Sequence, residues 1–224
     1  MTDADSLERL MRNRFSCRGF LPQALDTAVI ERILIMAQLS ASWCNAQPWQ
    51  VVVTRGAATD RFRTALTEHV RQAAACPDIP FPAEYRGVYR ERRRECARQL
   101  YESVGIAMGD RSASARQAAE NFSLFGAPHV AIVTTDAALG PYGAADCGAY
   151  VAAFLLAATA LGVATIAQAS IAAYAPFVRA HFGISSGREV VCGVSFGLAD
   201  PAHPANAFRT TRATLLESIE WHTQ

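Results

Sequence analysis

Thirteen successive residues from Ala149 to Leu161 carry no charge and, Thr159 apart, are alanine, leucine, valine or aromatic; Gly162 ends the run. Such a run is short for a membrane span and the right length for a helix buried at the centre of a globular core. Its many small residues suit close approach by another helix, including one from a second copy of the chain. The remainder of the 224 residues, at 51% apolar and 18% charged overall, is enough to surround that helix with one sizeable core, and nothing marks a second domain. No other stretch is apolar enough for a membrane span, and Met1 to Met11 lack the apolar centre of a signal peptide, so the chain reads as cytoplasmic with no membrane partner.

A formal net charge of +1 argues against nucleic acid as a partner, because such binding needs surplus cations to meet phosphates. All 21 basic residues are arginine. Without lysine there is no Walker phosphate loop, no Schiff base and no serine–lysine catalysis, and any anion must be held by guanidinium. No GxGxxG follows a predicted strand. The six cysteines stand far apart, with no CxxC pair and no histidine at zinc-like spacing, so they read as reduced, mostly buried thiols and no metal site is expected.

In chain order, Leu7, Leu10, Met11 and Phe15 mark a first amphipathic helix. If the segment after it is extended, Arg14, Ser16 and Arg18 fall on one side and Phe15 and Cys17 on the other. Two guanidiniums flanking a hydroxyl make an anion clamp, although ordinary surface arginines on a solvated loop fit the same pattern. A second helix behind Asp26 carries Val29, Ile30, Ile33, Leu34 and Ala37 at helical spacing. It runs into Ser40–Val53, where a polar loop with Ser42, Asn45 and Gln47 leads through Pro48 and Trp49 into a β-branched strand, Gln50–Val53. These short polar side chains suit the neutral edge of a ligand, or simply connect a helix to a strand over a buried tryptophan.

Asp60–Ala75 reads as a helix, followed by Pro77, Pro80 and Pro82. Tyr85–Tyr101 is a strongly charged helix able to pair Glu91 with Arg94 and Glu95 with Arg98. It serves either as a solvated face or as a rim attracting anions. Ser112–Phe125 is a further helix, His129–Thr134 and Ala164–Ser170 are strands, Pro176–Phe182 is a short helix, and Glu189–Leu198 is a last strand. Residues 200–224 lose periodicity until Leu215, Leu216 and Ile219, and read as an apolar arm in need of a surface to cover. Gly193-Val194-Ser195-Phe196-Gly197 satisfies the GxSxG pattern of a serine hydrolase, but it lies within one uninterrupted strand with no helix to open, and only 29 residues follow Ser195 to supply an acid and a histidine.

Arg14-x-Ser16-x-Arg18-x-Phe20 followed by Ser42-x-x-Asn45-x-Gln47-Pro48-Trp49 resembles the opening of the FMN-dependent nitroreductases. Gly162-Val163-Ala164-Thr165, Gln168-Ala169-Ser170, Val191 to Gly197 and Phe208-Arg209-Thr210-Thr211-Arg212 follow in that family's order.

The resemblance implies an α+β fold, a central and mostly antiparallel sheet flanked by helices. It implies a domain-swapped homodimer of single FMN-binding domains, 1–224, in which 200–224 wraps the partner. Arg14, Ser16, Arg18, Arg209 and Arg212 would hold the flavin from one subunit, Ser42, Trp43 and Asn45 would reach in from the other, Gln47 would also contact the cofactor, and Ala167, Gln168, Ala169 and Ser170 would line its inner face. The implied function is ping-pong electron transfer from NADPH or NADH through flavin N5 to a small planar aromatic acceptor, nitroarene or quinone. Arg18 is the candidate for the positive charge that the reduced flavin needs. Dehalogenation and flavin destruction on the same fold, and a hydrolase at Ser195, are the alternatives. The chain departs from the family pattern at Ala41, Trp43 and Cys44, in lacking lysines near the pyrimidine, and in having no glutamate within Gln168-Ala169-Ser170.

Overall fold

Strand β2, His129–Asp136, is buried on both faces for nearly its whole length, and its neighbours explain why. It pairs with β1, Gln50–Val53, on one side and β4, Arg188–Gly197, on the other; β3, Ala164–Gln168, pairs with the far side of β4. The four strands form one antiparallel sheet in the order β1-β2-β4-β3, with a bulge at Val133/Thr134. The chain is thus α+β with a central antiparallel sheet, as expected. The structure is a computed structural model describing residues 2–223; Met1 of the leader reading and Gln224 of the arm lie outside the described residues.

Because side chains alternate along a strand, Ala131 and Val133 face one core and Val130 and Ile132 the other. The first core is closed by α2, Thr27–Ala37, and by α6, Gly140–Ala160, which packs against α2, β2 and β3. Tyr150, Phe154, Ala157 and Ala158 of α6 meet Ile30, Ile33 and Ala37 there, with Trp49 stacked on Tyr150 at 5.1 Å. The central-helix reading therefore holds for one face only. Gly148, Ala149 and Ala152, on the opposite face, are exposed. By length and composition alone, α6 with its preceding turn does reach what a membrane span requires, contrary to the reading of the sequence. Its large residues are instead spent on the sheet.

The second core is closed by α3, Ala57–Gln72, the short α7, Ala169–Ala172, and α8, Ala175–Phe182, through Phe62, Leu66, Ile171 and Val178. Gly193 lies close under α7: a Cβ there would fall 2.5 Å from Cδ1 of Ile171, so a larger residue would require the Ile171 side chain to shift.

The remaining helices are α1, Asp3–Asn13, the charged α4, Gly87–Ser103, and α5, Arg111–Ala119. Three local expectations are corrected. Asp26 occupies the N-cap of α2 without a side-chain cap bond. The helix read as Ser112–Phe125 ends at Ala119, because Leu124 and Phe125 adopt positive φ to drop into the second core. Glu95–Arg98 pairs at 2.6 Å, but Arg98 takes Glu102 as its second partner, and no Glu91–Arg94 pair is among those of the described residues.

Burial pushes the thiols of Cys147 and Cys192 up to about 11 and about 12, and the Tyr150 phenol to about 12. Each proton is held more tightly folded than unfolded. This contribution to stability is whole below the ordinary thiol value of 9.0 and is lost as pH rises from there toward 11 and 12. Thermal melting under reducing conditions is expected to be flat across neutral pH and to fall from about pH 9 upward. Cys147→Ala should flatten the first part of that fall; a melting temperature unchanged through pH 10.5, roughly midway into the window, would contradict the assignment.

Candidate functional site

α1 ends because Arg14 leaves helical geometry, and the chain then runs extended along the open edge of β3. Ser16 bridges Thr165 in parallel register, and the Cys17 N–H donates to the Thr165 carbonyl at 2.9 Å. This pairing fixes the alternation: Cys17 is fully buried, Phe15 is half-buried, and Arg14, Ser16 and Arg18 share the outer side. The arm brings Phe208, Arg209 and Arg212 across from the opposite wall. Together these residues line a cleft of about 890 Å³, with Met11 and Leu156 on its apolar side.

Among the described residues, none of Arg14, Arg18, Arg209 and Arg212 has a carboxylate partner. Glu8, the acidic residue in the lining, is taken by Arg12 at 2.5 Å. Arg209 donates to the carbonyls of Asn206 and Phe208, and Arg212 to those of Thr210 and Thr211. Burial lowers the proton affinity of Arg18, and burial followed by the charge of Arg212 lowers that of Arg14. Four cations held together with neutral partners are an electrostatic cost that a bound anion reverses.

A second slot of about 320 Å³ shares Ser16 and Arg18 with the cleft and is walled by Ala167–Ser170, with Tyr101, Gln117 and Asn121 opposite. Gln168 is among the residues that line this slot, and its side-chain amide is engaged by neighbours within the chain. Gln168 is 2% exposed; its Oε1 accepts from Ser195 at 2.5 Å and its Nε2 donates to the Asn121 carbonyl at 2.8 Å. Ser170 adds a bond to Oδ1 of Asn121 at 3.0 Å. Ser195 is therefore an anchor under the slot, fully buried in mid-strand, and has no access to a substrate. Ser195→Ala leaves a buried carboxamide oxygen unpaired. It is expected to cost about 1–3 kcal/mol of stability in chemical denaturation while leaving ester hydrolysis at background.

Ser42, Trp43, Asn45 and Gln47 do not join these residues within one chain. They form a separate turn whose Cys44, Asn45 and Gln47 have positive φ of 51°, 54° and 48°, each a strain of order 1 kcal/mol. Asp146 accepts the Trp43 N–H at 3.2 Å, Ser42 Oγ accepts the Gln47 N–H at 2.9 Å, and the Trp43 ring, 62% exposed, rests 4.5 Å from Tyr142. Trp49, by contrast, is buried and donates to Gln38.

Asn121, Asn206 and Tyr101 contribute to this site without a signal in the sequence that marks them, whereas Phe208 stands in the motif just before Arg209. The two asparagines act across 47 and 188 positions of chain, where no periodicity or motif connects them to Gln168 or Arg18.

The model of the nitroreductase family matches residues 11–198. The sequence is 34% identical over 223 residues to nitroreductase NfnB of Mycolicibacterium smegmatis, covering 97% of this chain and 93% of that protein. It is 29% identical to a 4-nitrobenzoate reductase of Pseudomonas putida, covering 93% and 92% of the two chains. The structure superposes with a TM-score of 0.93 on the FMN-dependent nitroreductase NfnB from Mycobacterium smegmatis in complex with NADPH, 33% identical, over 98% of this chain and 99% of that one. The FMN and NADPH-dependent nitroreductase NfnB of Sphigopyxis sp. strain HMH gives the same TM-score at 28% identity, over 97% and 99%.

Proposed function

Since the chain belongs to the nitroreductase family, we propose that it is an FMN-dependent oxidoreductase that takes electrons from NADPH and reduces small nitroaromatic acceptors. The observation that carries this reading is the junction at Ser16 and Arg18, where a cleft whose Arg14, Arg18, Arg209 and Arg212 have no carboxylate partner among the described residues opens onto a narrow slot walled by Ala167–Ser170. The residues fit FMN. Arg14, Arg209 and Arg212 offer charge-assisted hydrogen bonds to a phosphate, and the Ala167–Ser170 wall suits the flat edge of a ring system. FMN, when bound, supplies the two-electron redox chemistry between nicotinamide and acceptor.

The chain's part is placement, hydrogen bonding and charge. Arg18 lines both cleft and slot and would present a positive charge to a flavin bound across them. Ala167–Ser170 line the slot and would lie along a flavin bound there. No carboxylate or histidine lines the slot among the described residues, so no side chain is assigned there as a general acid.

The working unit is a homodimer of single domains. Gly148, Ala149 and Ala152 of α6, Leu7 and Met11 of α1, Ile35 of α2 and Leu39 just after it leave apolar surface that one chain does not cover. Residues 200–224 wrap the second subunit, and Ser42, Trp43, Asn45 and Gln47 reach its flavin. Six free cysteines support a cytoplasmic location. Purified protein is expected to be yellow, to be reduced by NADPH under anaerobic stopped flow, and then to be reoxidised by nitroarenes, with quinones and NADH as the comparison. A colourless preparation that FMN does not reconstitute would overturn the reading.

A further inference from the structure

The two arginine-bearing segments of the cleft, 14–18 and 208–212, are almost two hundred residues apart in the chain, so something must hold their relative position. The geometry points to Asn206 as the positioning residue that sets it, an inference that rests on the flavin reading above. Asn206 is 8% exposed and every polar group it has is engaged. Its Oδ1 accepts the backbone N–H of Arg18 at 2.8 Å, and its Nδ2 donates to the carbonyls of Gly19 at 2.8 Å and Asp200 at 2.9 Å. Its N–H donates to the His203 carbonyl at 2.9 Å, and its own carbonyl accepts from the Arg209 guanidinium at 2.7 Å.

One residue thus ties both segments through main-chain and guanidinium groups. A cross-brace completes the arrangement: the Arg18 guanidinium lies 5.7 Å from the Phe208 ring, and the Arg209 guanidinium lies 3.9 Å from the Phe15 ring. Each arginine leans on the phenylalanine of the opposite segment. The seam between them is tight. A Cβ on Gly19 would fall 2.2 Å from Cγ of His203, so the arm approaches this strand as closely as glycine permits. Five hydrogen bonds made by one buried asparagine leave Arg18 and Arg209 little freedom to drift, and the cost of ordering two cations is met during folding rather than on binding.

The test is an FMN titration of the apoprotein by flavin fluorescence, together with the midpoint potential of the bound flavin and thermal melting. Asn206→Ala is expected to weaken FMN about tenfold, the equivalent of one well-placed hydrogen bond, and to move the potential to more negative values as Arg18 loses its place. The losses from Asn206→Ala and Arg18→Gln should combine to less than their product, because the asparagine acts through the arginine. If the alanine variant does not fold, Asn206→Ser carries the same expectation at smaller size, since its hydroxyl cannot span Gly19 and Asp200 together. A lower melting temperature with wild-type affinity and potential, or losses that multiply independently, would reduce Asn206 to an anchor of the arm and overturn the inference. Wild-type protein that fails to bind FMN overturns the functional reading first and takes this inference with it.

Discussion

Arg18→Gln is expected to slow reduction of the FMN-saturated enzyme by NADPH about a hundredfold, the size of effect that one preorganised charge near a developing anion supplies. Glutamine keeps a hydrogen-bonding amide on a shorter side chain and removes the charge. The site makes the charge effective: Arg18 is half-buried, its guanidinium donates to the Ser16 carbonyl at 3.2 Å, and it has no carboxylate partner to neutralise it among the described residues. An exposed arginine would be screened by water and worth far less. The midpoint potential of the bound flavin should fall in parallel. FMN affinity should fall less, because Arg14, Arg209 and Arg212 still line the cleft. Weak binding with a normal rate and potential at saturation would move Arg18 to the phosphate end of the flavin.

Deleting 212–224 is expected to abolish the dimer and FMN retention together. Leu215, Leu216 and Trp221 are 72%, 89% and 75% exposed in the single chain, an apolar surface with nothing under it. Arg212 contributes a cation to the cleft, while Ser42, Trp43, Asn45 and Gln47 line none of its walls. If those residues serve a second copy's flavin, each site is incomplete in a monomer, and mass action couples assembly to cofactor. Light scattering on size-separated protein and the ratio of flavin to protein absorbance measure the two losses independently. A truncated protein that is monomeric, stable and yellow would refute the shared site.

The alternation Arg14-Phe15-Ser16-Cys17-Arg18 was legible because it is local: an extended chain pointing cysteine inward must point its neighbours outward, and Cys17 is fully buried. The helices and strands were legible for the same reason, with boundaries displaced where burial overrode propensity, as at Leu124 and Phe125. The recurring order of weak motifs carried the flavin reading, since each motif reports a short-range requirement.

What the sequence by itself determined is which residue types are available and on which side of a local element each falls: anion binding by arginine alone, an arginine face beside Ser16, a serine in GxSxG confined to a strand. What only the tertiary structure decided is where side chains meet across long separations. Gln168 reads as a residue lining a cofactor, and the fold alone shows that its amide also bonds Ser195 and Asn121. Asn206 lies within the stretch read only as an arm, and the structure shows it tying Arg18 to Arg209. The physical reason is that a carboxamide has the same donors and acceptors wherever it lies, so its role is set by the partners that the sheet edge and the returning arm bring within 3 Å.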